Sequence, residues 1–381
     1  MQIPKMVFNP NFQITPTIAS NLLEIERHKE AINILPITGK VIASLRETAR
    51  LMTTHYSTQI EGNSLTPEEV EKIAKGQEGG FPGRERDEKE VRNYFLALEY
   101  VEEQLRQDAP ISEKLIRTIH SMVYKGARKQ SPYREGQNVI KDGSSGSIVY
   151  MPPEAKDVAS LMKDLTGWID EQIEMQELPA PIIAALAHYQ FATIHPYYDG
   201  NGRTARLLTT FILHKTGYGM KGIYSLEEYY AKNLQGYYNA LTIGESHNYY
   251  FGRPEADVTP FLEYFTEGMA IAFQRVREKA FNYKEEQKST GSGLEQVNST
   301  HYQTEKLREL RPQQRQVLSL FQKSREVNLQ EIADHLGINA RSANGLIKKW
   351  LEQNFIQIEN PSKKARTYIL EKDWERIILE M

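Results

Sequence analysis

A tight turn between two helical patterns is the feature that most constrains how this chain folds. Residues 182–194 place apolar side chains at helical spacing, and residues 204–215 do so again. Pro196 ends the first pattern because proline disfavours a helical conformation at the residue before it. Gly200 and Gly202 permit positive φ angles and leave backbone N–H groups uncovered. The stretch between the patterns is therefore predicted to be a turn that opens a second helix.

The turn and the start of the second helix carry the chemistry for holding a polyphosphate. Uncovered N–H groups at a helix N-terminus, together with the helix dipole, make an anion site. Arg203 and Arg206 lie three positions apart, so both guanidiniums project from one face, and each bonds two phosphate oxygens at once. Asp199 is the candidate ligand for Mg²⁺ bridging the phosphates. His195 has an ordinary pKa near ~6.5 and is able to accept a proton at neutral pH.

The whole stretch His195-Pro-Tyr-Tyr-Asp-Gly-Asn-Gly-Arg-Thr-Ala-Arg206 resembles the signature of the Fic family, usually written His-Pro-Phe-x-x-Gly-Asn-Gly-Arg-x-x-Arg. The similarity to the family extends from about Phe12 to about Arg277. Tyr197 stands where the family usually has Phe, which keeps the ring and adds a hydroxyl. The fixed spacing makes this signature far more specific than a lone glycine-rich motif.

The resemblance implies a protein adenylyltransferase that moves AMP from ATP onto a Tyr, Ser or Thr hydroxyl of a protein. It makes His195 the general base and Asp199 the Mg²⁺ ligand, and it assigns an adenine contact to Tyr238. The residues implied in ATP and phosphate binding are Gly200, Asn201, Gly202, Arg203 and Arg206. Two alternatives stay open. One is a related enzyme that removes AMP or transfers another phosphate-linked group, and the other is a DNA-binding regulator whose Fic-like domain only senses nucleotide.

A second motif lies upstream of the signature. Ser57-Thr-Gln-Ile-Glu61-Gly62 resembles the family's inhibitory motif, Ser/Thr-x-x-x-Glu-Gly/Asn, in the class whose inhibitory helix precedes the signature. A carboxylate near a helix C-terminus is disfavoured by the dipole unless a cation meets it. The resemblance supplies Arg206 as that cation, so Glu61 would keep the arginine from the γ-phosphate of ATP, and Ser57 would orient Glu61. The alternative is a surface Glu followed by a capping glycine.

A hairpin with a long polar tip is predicted downstream of the inhibitory motif. Its two arms flank Asp142-Gly-Ser-Ser-Gly-Ser, a sequence typical of a turn. The hairpin resembles the family's flap, to whose edge an extended target segment adds by main-chain bonding. The residues assigned to this target-docking flap are Asn138, Val139, Ile140, Ile148, Val149 and Tyr150. An ordinary surface hairpin is the alternative.

Two histidines near the signature raise the question of a metal site. His188 and His195 lie seven positions apart, on one helix face, and Asp199 follows them. No third nitrogen ligand stands nearby in the sequence, so His188 is predicted to be a hydrogen-bonded structural residue.

The chain divides into four predicted regions. Residues 1–110 form an N-terminal helical region with the inhibitory helix, and residues 111–283 form the Fic catalytic core. Residues 284–305 hold almost no apolar side chains and are predicted to be a linker or an exposed loop. Residues 306–381 resemble a winged helix-turn-helix domain. The predicted fold class is therefore mainly α, a Fic-type helical bundle with a small β-hairpin flap and a C-terminal winged helix.

The C-terminal region carries a mild positive charge. Residues 328–339 are typical of the first helix and turn of a helix-turn-helix, and residues 340–352 of its second helix. Residues 355–370 are predicted to form two strands around a wing. Residues 311–370 hold ten basic groups against five acidic ones. Contact with DNA and contact with another protein both stay open.

Composition limits the remaining function classes. At 381 residues, with 40% hydrophobic and 25% charged residues, the chain is typical of a globular protein of two or three domains. A net charge of −3 does not indicate that the chain binds nucleic acid or membranes through its overall charge. It has no cysteine, no signal-peptide pattern and no apolar run near ~18 residues, which fits a cytoplasmic protein. The implied partner is a protein with an acceptor hydroxyl, and self-modification and a homodimer stay open.

Overall fold

The computed structural model describes residues 8–34, 39–76, 80–141, 146–244, 247–289, 310–324, 326–360, 362, 366–371 and 374. These residues are mainly α-helical, with small antiparallel sheets, and they divide into two units, Met1–Glu285 and Glu286–Met381. Among the described residues, no helix combines the length and the apolar composition needed to cross a membrane.

The first unit consists of helices and one hairpin. Its helices are α1 (Pro16–Asn33), α2 (Gly39–Gln59), α3 (Pro67–Ala74), α4 (Glu85–Arg106), α5 (Glu113–Lys125), α6 (Ala155–Met175), α7 (Ala180–Ile194), α8 (Asn201–Lys215), α9 (Glu227–Lys232), α10 (Leu234–Leu241) and α11 (Thr259–Ser289), with a 3₁₀ turn at Met220–Gly222. Strands β1 (Ile140–Lys141) and β2 (Ile148–Tyr150) pair antiparallel, with Ile140 opposite Tyr150.

Helix α7 is the buried centre of the first unit. Its sequence is apolar on every side, and Ile182, Leu186 and Phe191 are fully buried. The helix packs against α6 and α8. Because close-packed cores resist displacement, α7 holds the residue at its C-terminal end, His195, in a fixed position.

Several helix ends follow from local sequence signals. Thr66 caps α3 in a capping box with Glu69, and Pro67 begins the helix. The Ser112 hydroxyl caps α5, which ends at Gly126 with a φ of 67°. These contacts fix where α3 begins and where α5 begins and ends.

The last helix of the first unit runs past its predicted end. Helix α11 continues to Ser289, so the first residues of the segment predicted as a linker, 284–305, are helical. Residues 290–305 of that segment lie outside the described residues.

The second unit combines three helices with a small sheet in its described part. Its elements are α12 (Pro312–Lys323), β3 (Val327–Asn328), α13 (Leu329–Leu336), α14 (Ala340–Glu352), β4 (Ile356–Asn360) and β5 (Thr367–Leu370). The strands form an antiparallel sheet in the order β3-β5-β4. Val317, Ile332, Ile347, Trp350 and Phe355 contribute to a core that belongs to this unit alone. Most of the segment between β4 and β5, residues 361 and 363–365, lies outside the described residues.

Candidate active site

His195 lies immediately after α7 in a left-handed conformation, with φ of 50° and ψ of 60°. Its N–H donates to the Phe191 carbonyl at 3.0 Å, which closes the helix. Its Nδ1 lies 3.3 Å from the Ala192 carbonyl oxygen. A carbonyl oxygen only accepts, so Nδ1 carries the hydrogen and Nε2 keeps its lone pair.

The protonation of His195 follows from its surroundings. Burial lowers the pKa of His195 to about 4, although the Ala192 carbonyl and the charge of Glu61 act in the opposite direction. The imidazole is therefore neutral at pH 7. A neutral imidazole with a free Nε2 is a proton acceptor.

The turn after His195 is held by side chains that bond to its backbone. Asn201 Oδ1 accepts from the Tyr197 N–H at 3.0 Å, and Asn201 Nδ2 donates to the Tyr197 carbonyl at 2.8 Å. Gly200 adopts a φ of 78° directly before α8, where a side chain would be strained. The side chain of Asn201, predicted to bind phosphate, is thus committed to the turn, and its backbone N–H remains at the start of α8.

Helix α5 supplies a second support for the turn. The His120 ring stacks on Tyr197 with centroids 3.5 Å apart, and His120 Nε2 donates to the Asp199 carbonyl at 2.8 Å. Burial lowers the pKa of His120 to about 4, so this ring is also neutral at pH 7. His120 therefore positions the turn together with Asn201.

Asp199 lies in the turn directly before α8, and Arg203 lies in the first turn of that helix. Asp199 Oδ1 accepts from the Gly200 N–H at 2.6 Å and from Arg203 Nη2 at 3.2 Å. The Asp199 side chain is 44% exposed, whereas that of Arg203 is only 3% exposed. Arg203 Nη1 lies 3.8 Å from Glu90 Oε2, and its Nε is buried without a hydrogen-bond partner among the described residues. Asp199 thus faces solvent beside a cation with unsatisfied donor capacity.

Arg206 is the most deeply buried charge of the site, with a side chain that is 1% exposed. Its Nε donates to Ser57 Oγ and its Nη2 to the Ser57 carbonyl, both at 2.8 Å. Its Nη2 also donates to Glu61 Oε1 at 2.8 Å. Burial by itself would lower the pKa of Arg206, but the charge of Glu61 raises it above its ordinary value. Its Nη1 is buried without a hydrogen-bond partner in the described part of the chain.

Glu61 reaches the start of α8 from the turn that follows α2. The turn is closed by the Glu61 N–H, which donates to the Thr58 carbonyl at 3.0 Å, and by Gly62 with a φ of 93°. A Cβ at Gly202 would collide with Glu61 Oε1. The carboxylate therefore lies against the first turn of α8, where the helix dipole favours an anion.

Tyr238 lies beside the Glu61 turn. Its hydroxyl donates to the Ile60 carbonyl at 3.3 Å, and the residue is 44% exposed. The neighbouring Tyr237 is buried and bonds to His188 Nε2 at 2.8 Å. Tyr238 is thus the tyrosine of this pair whose ring remains accessible next to Glu61.

Hydrogen bonds from both arms anchor the predicted flap, one to the turn after His195 and one to the last residues of α7. Asn138 Nδ2 donates to the Tyr197 carbonyl at 3.2 Å, and its Oδ1 accepts from the Val139 N–H at 2.9 Å. The Tyr150 hydroxyl donates to the Thr193 carbonyl at 2.9 Å. Ile148 is 48% exposed, and Ile140 and Val149 are partly buried. The hairpin is therefore a partly exposed strand pair anchored next to His195.

Arg134 links the flap to the histidine turn and was not identified from the sequence. This buried guanidinium donates to the His195 carbonyl at 2.9 Å, to the Gly136 carbonyl at 3.0 Å and to the Pro153 carbonyl. Its own N–H donates to the Pro196 carbonyl at 3.0 Å. Nothing local marks Arg134 in the sequence, because its partner His195 lies 61 positions away. His120 and Glu90 were likewise not identified from the sequence, because their partners Asp199 and Arg203 also lie far along the chain.

His188 is a structural residue, as predicted. Its Nδ1 bonds to Thr209 Oγ1 at 2.9 Å and its Nε2 to the Tyr237 hydroxyl at 2.8 Å, and it is completely buried. Within the described residues, no group of three His, Cys, Asp or Glu side chains is arranged to hold a metal ion. A divalent cation at this site would therefore need ligands from a bound substrate in addition to Asp199.

Comparison with known proteins is consistent with this geometry. Residues 110–213 match the Fic/DOC family model, a span that contains the histidine turn, the flap and Arg134. The chain is 27% identical over 198 residues to protein adenylyltransferase Fic of Drosophila virilis, covering 52% of this chain and 39% of that protein. It is 28% identical over 214 residues to the Drosophila erecta protein of the same name, covering 55% and 42%. The chain thus spans about two fifths of the length of the curated relatives it matches.

Solved structures share the fold. A Fic family protein from Desulfovibrio desulfuricans superposes with a TM-score of 0.55 at 23% identity, covering 96% of this chain and 99% of that one. Fic-1 from C. elegans superposes with a TM-score of 0.56 at 21% identity, covering 70% of this chain and 73% of that one.

Proposed function

We propose, because residues 110–213 form a Fic domain, that this chain is a protein adenylyltransferase that moves AMP from ATP onto a Tyr, Ser or Thr hydroxyl of a protein. One observation carries the proposal: a neutral His195 lies beside the N-terminus of α8, where two buried arginines converge. The histidine is a proton acceptor, and the helix start with its arginines is a site for a polyphosphate.

The transfer step uses His195 as general base. Its Nε2 accepts the proton of the acceptor hydroxyl, and that oxygen attacks the α-phosphorus of ATP in line. The bond between the α-phosphorus and the bridging oxygen breaks, and pyrophosphate leaves with the electron pair. The N–H groups of Asn201 and Gly202 neutralise the charge that develops on the phosphate oxygens, because the first turn of a helix leaves its donors unpaired. The Gly200 N–H donates to Asp199 Oδ1, so Gly200 shapes the turn that presents these donors.

Arg203 and Arg206 hold the polyphosphate. Each has a buried N–H that bonds to nothing among the described residues, Nε in Arg203 and Nη1 in Arg206. Buried donors of this kind cost free energy until an acceptor satisfies them. Phosphate oxygens are acceptors of the required charge and geometry, which supports the assignment of both residues.

Asp199 suits Mg²⁺ bound together with ATP. Only its Oδ1 accepts hydrogen bonds among the described residues, and the carboxylate is substantially exposed. Mg²⁺ in nucleotide sites is bound by one or two carboxylates plus phosphate oxygens, so this donor set fits. When bound, the ion would act as a Lewis acid on the phosphates.

Glu61 holds the enzyme inactive. Its carboxylate occupies Arg206 Nη2 and lies against Gly202, where a phosphate oxygen would bind. Two anions cannot share this site, so ATP binds productively only after Glu61 withdraws. Ser57 reinforces the inhibited state because its hydroxyl and its carbonyl both accept from Arg206.

The target and the adenine bind at separate places in this proposal. Tyr238 stacks on adenine, since its ring is accessible next to the Glu61 turn. An extended target segment pairs with the flap, whose two-residue and three-residue strands leave outer edges for main-chain bonding. The flap thereby brings a target hydroxyl to His195 with little demand on the target's side chains.

The C-terminal unit is a winged helix in this proposal. Its order of helices and strands and its antiparallel sheet, β3-β5-β4, support that assignment. The unit has its own core, which supports a separate role from AMP transfer.

The position of the transferred label tests the reaction. The Glu61→Gly protein is incubated with a protein mixture and with ATP labelled either at the α-phosphate or at the γ-phosphate. The proposal predicts labelled protein from the α-label alone, and none when His195→Asn is added to the same chain. Protein labelled from the γ-phosphate would identify a kinase reaction and overturn the proposal. The proposal would also be overturned if neither the α-label nor the γ-label reached protein.

A further inference from the structure

Helix α14 of the C-terminal unit presents one exposed face that its fold does not use. Its buried side chains, Ala343, Ile347 and Trp350, point into the core of the unit. At about 100° per residue, the opposite side of the helix forms a single stripe along its length. The exposed residues of that stripe are Arg341, Ser342, Asn344, Gly345, Lys348 and Lys349.

The charge of this stripe is positive and unpaired. Arg341, Lys348 and Lys349 form no ion pair with any described residue, although the first unit contains many such pairs. The one acidic residue of the helix is Glu352 at its last position. An exposed stripe of free cations is complementary to a polyanion, and it contrasts with the net charge of −3 of the whole chain.

The stripe lies on the second helix of a helix-turn-helix. Helix α13 ends at Gly337, which adopts a φ of 63°, and the Asn339 side chain then caps α14 by accepting from the Ser342 N–H at 2.9 Å. In this arrangement the second helix enters the major groove and its first residues meet the base edges. The groove is about 12 Å wide, which accommodates an α-helix of about 10–12 Å.

Gly345 in the middle of the stripe strengthens the case for close approach. It has no side chain, and a Cβ built there would meet nothing within 4 Å. The fold of the unit therefore does not need glycine at this position, and glycine in a helix interior costs about 0.5–1 kcal/mol relative to alanine. Glycine here is explained if another molecule binds directly against the helix backbone at this position, where a side chain would be in the way.

We propose that α14 binds in the major groove of double-stranded DNA, which gives this chain a second activity apart from AMP transfer. Arg341 and Asn344, in the first half of the helix, contact base edges, since Arg pairs with guanine O6 and N7 and Asn with adenine N6 and N7. Lys348 and Lys349 contact phosphates and position the helix. The proposal uses residues that have no part in the Fic site, so either proposal stands if the other fails.

The salt dependence of binding tests the phosphate contacts. The full-length protein is titrated onto a fluorescent mixed-sequence duplex of about 30 base pairs at several salt concentrations. The double variant Lys348→Gln, Lys349→Gln should lower the slope of log K against log salt by about 2, because each phosphate contact contributes about 0.9. Arg311→Gln, which removes a positive charge before α12 and outside the stripe, should leave the slope unchanged. An unchanged slope in the double variant, or no binding at about 50 mM salt, would overturn the proposal.

Paired variants of Gly345 test the close approach. Glutamine and glutamate have the same shape, and the open space around this position lets either fit the folded unit. Gly345→Glu places a negative charge against the DNA, so it should bind at least about tenfold more weakly than Gly345→Gln, a difference of about 1.4 kcal/mol. Equal affinity of these two variants and the wild type would show that α14 is not at the interface.

The shape of the nucleic acid tests groove recognition. An RNA duplex of the same sequence has a deep, narrow major groove that a helix does not enter, so it should bind more weakly than DNA. Sequences selected from a random DNA library should share a preferred base that Arg341→Ala abolishes while non-specific binding persists. Equal binding of RNA and DNA duplexes would contradict a major-groove mode.

Discussion

Arg206 is the residue on which the proposed regulation depends. Its guanidinium is almost fully buried, and a buried cation requires a counter-charge because desolvation is costly. Glu61 is that counter-charge here, at 2.8 Å. The γ-phosphate of ATP would satisfy the same donors. In the proposed regulation, Glu61 and ATP therefore compete for one cation, and AMP transfer requires that ATP displaces Glu61 from it.

Replacement of His195 tests the general base. His195 has a positive φ of 50°, which Asn adopts more readily than Ala, so His195→Asn is the less strained variant. Loss of a general base should lower AMP transfer about 10²–10⁴-fold while the protein stays folded. Labelling rates and thermal unfolding of both variants check this. A folded His195→Asn protein that transfers AMP at the wild-type rate would remove His195 from the mechanism.

The pH profile of transfer tests the state of His195. Burial lowers the pKa of His195 to about 4, so above pH 4 the ring is neutral and able to accept a proton. The ring becomes protonated, and stops acting as a base, only when the pH falls towards that value. Between pH 5.5 and 8, transfer by Glu61→Gly should show no inflection near ~6.5, the ordinary histidine value. The Glu61→Gly change also removes a charge that raises the pKa of His195, so it should move the inflection to still lower pH. An inflection near ~6.5 that vanishes in His195→Asn would contradict the assignment.

At the scale of the elements, α7, the turn and α8 form one rigid support for the chemistry. Helix α7 is buried throughout, and the turn is bonded from both sides by Asn201 and His120. Arg134 donates to the His195 carbonyl and to the carbonyls of Gly136 and Pro153, which flank the flap. The two ends of the flap and His195 are thus held by the same guanidinium.

Substitution of Arg134 tests this link between flap and base. Lysine keeps the charge but lacks the planar fork that reaches three carbonyl groups, so Arg134→Lys should reduce AMP transfer at least about tenfold. It should affect ATP binding little, because Arg134 contacts none of the residues assigned to phosphate. Transfer rates and ATP-dependent thermal shifts separate the two effects. Wild-type transfer in Arg134→Lys would show that the link is dispensable.

Helix patterns were predictable from sequence to within a few residues, and their departures have local causes. Helix α8 was predicted from Thr204 but begins at Asn201, because Gly200 caps it in a left-handed conformation. The start of α4 at Glu85 is not evident from the sequence, because its first turns are charged and carry no apolar period. Strand β3 was missed because two residues are too short to show alternation.

The residues of the candidate site fall into two groups, those in local sequence motifs and those with partners far along the chain. The signature and the inhibitory motif are local patterns that the sequence shows, and in the structure the Glu61–Arg206 ion pair joins them. Arg134, His120 and Glu90 act through partners far along the chain. Their roles depend on tertiary contacts, which periodicity and motif spacing do not encode.

At the scale of the whole molecule, two units with separate cores carry two proposed activities. The first unit contains every residue assigned to AMP transfer, and the second contains the exposed stripe of α14. A chain of this kind would join the modification of a protein to the binding of DNA.

The most direct test of the account is the rate of AMP transfer when the Glu61–Arg206 pair is broken from each side. Initial rates with α-labelled ATP are measured for the wild type, Glu61→Gly, Arg206→Ala and the double variant. A charge-assisted bond of about 1.5–3 kcal/mol predicts that Glu61→Gly is roughly ten- to a hundredfold faster than the wild type. Arg206→Ala and the double variant should be equally poor, because both lack the phosphate ligand. If Glu61→Gly is no faster than the wild type, Glu61 does not hold this enzyme inactive.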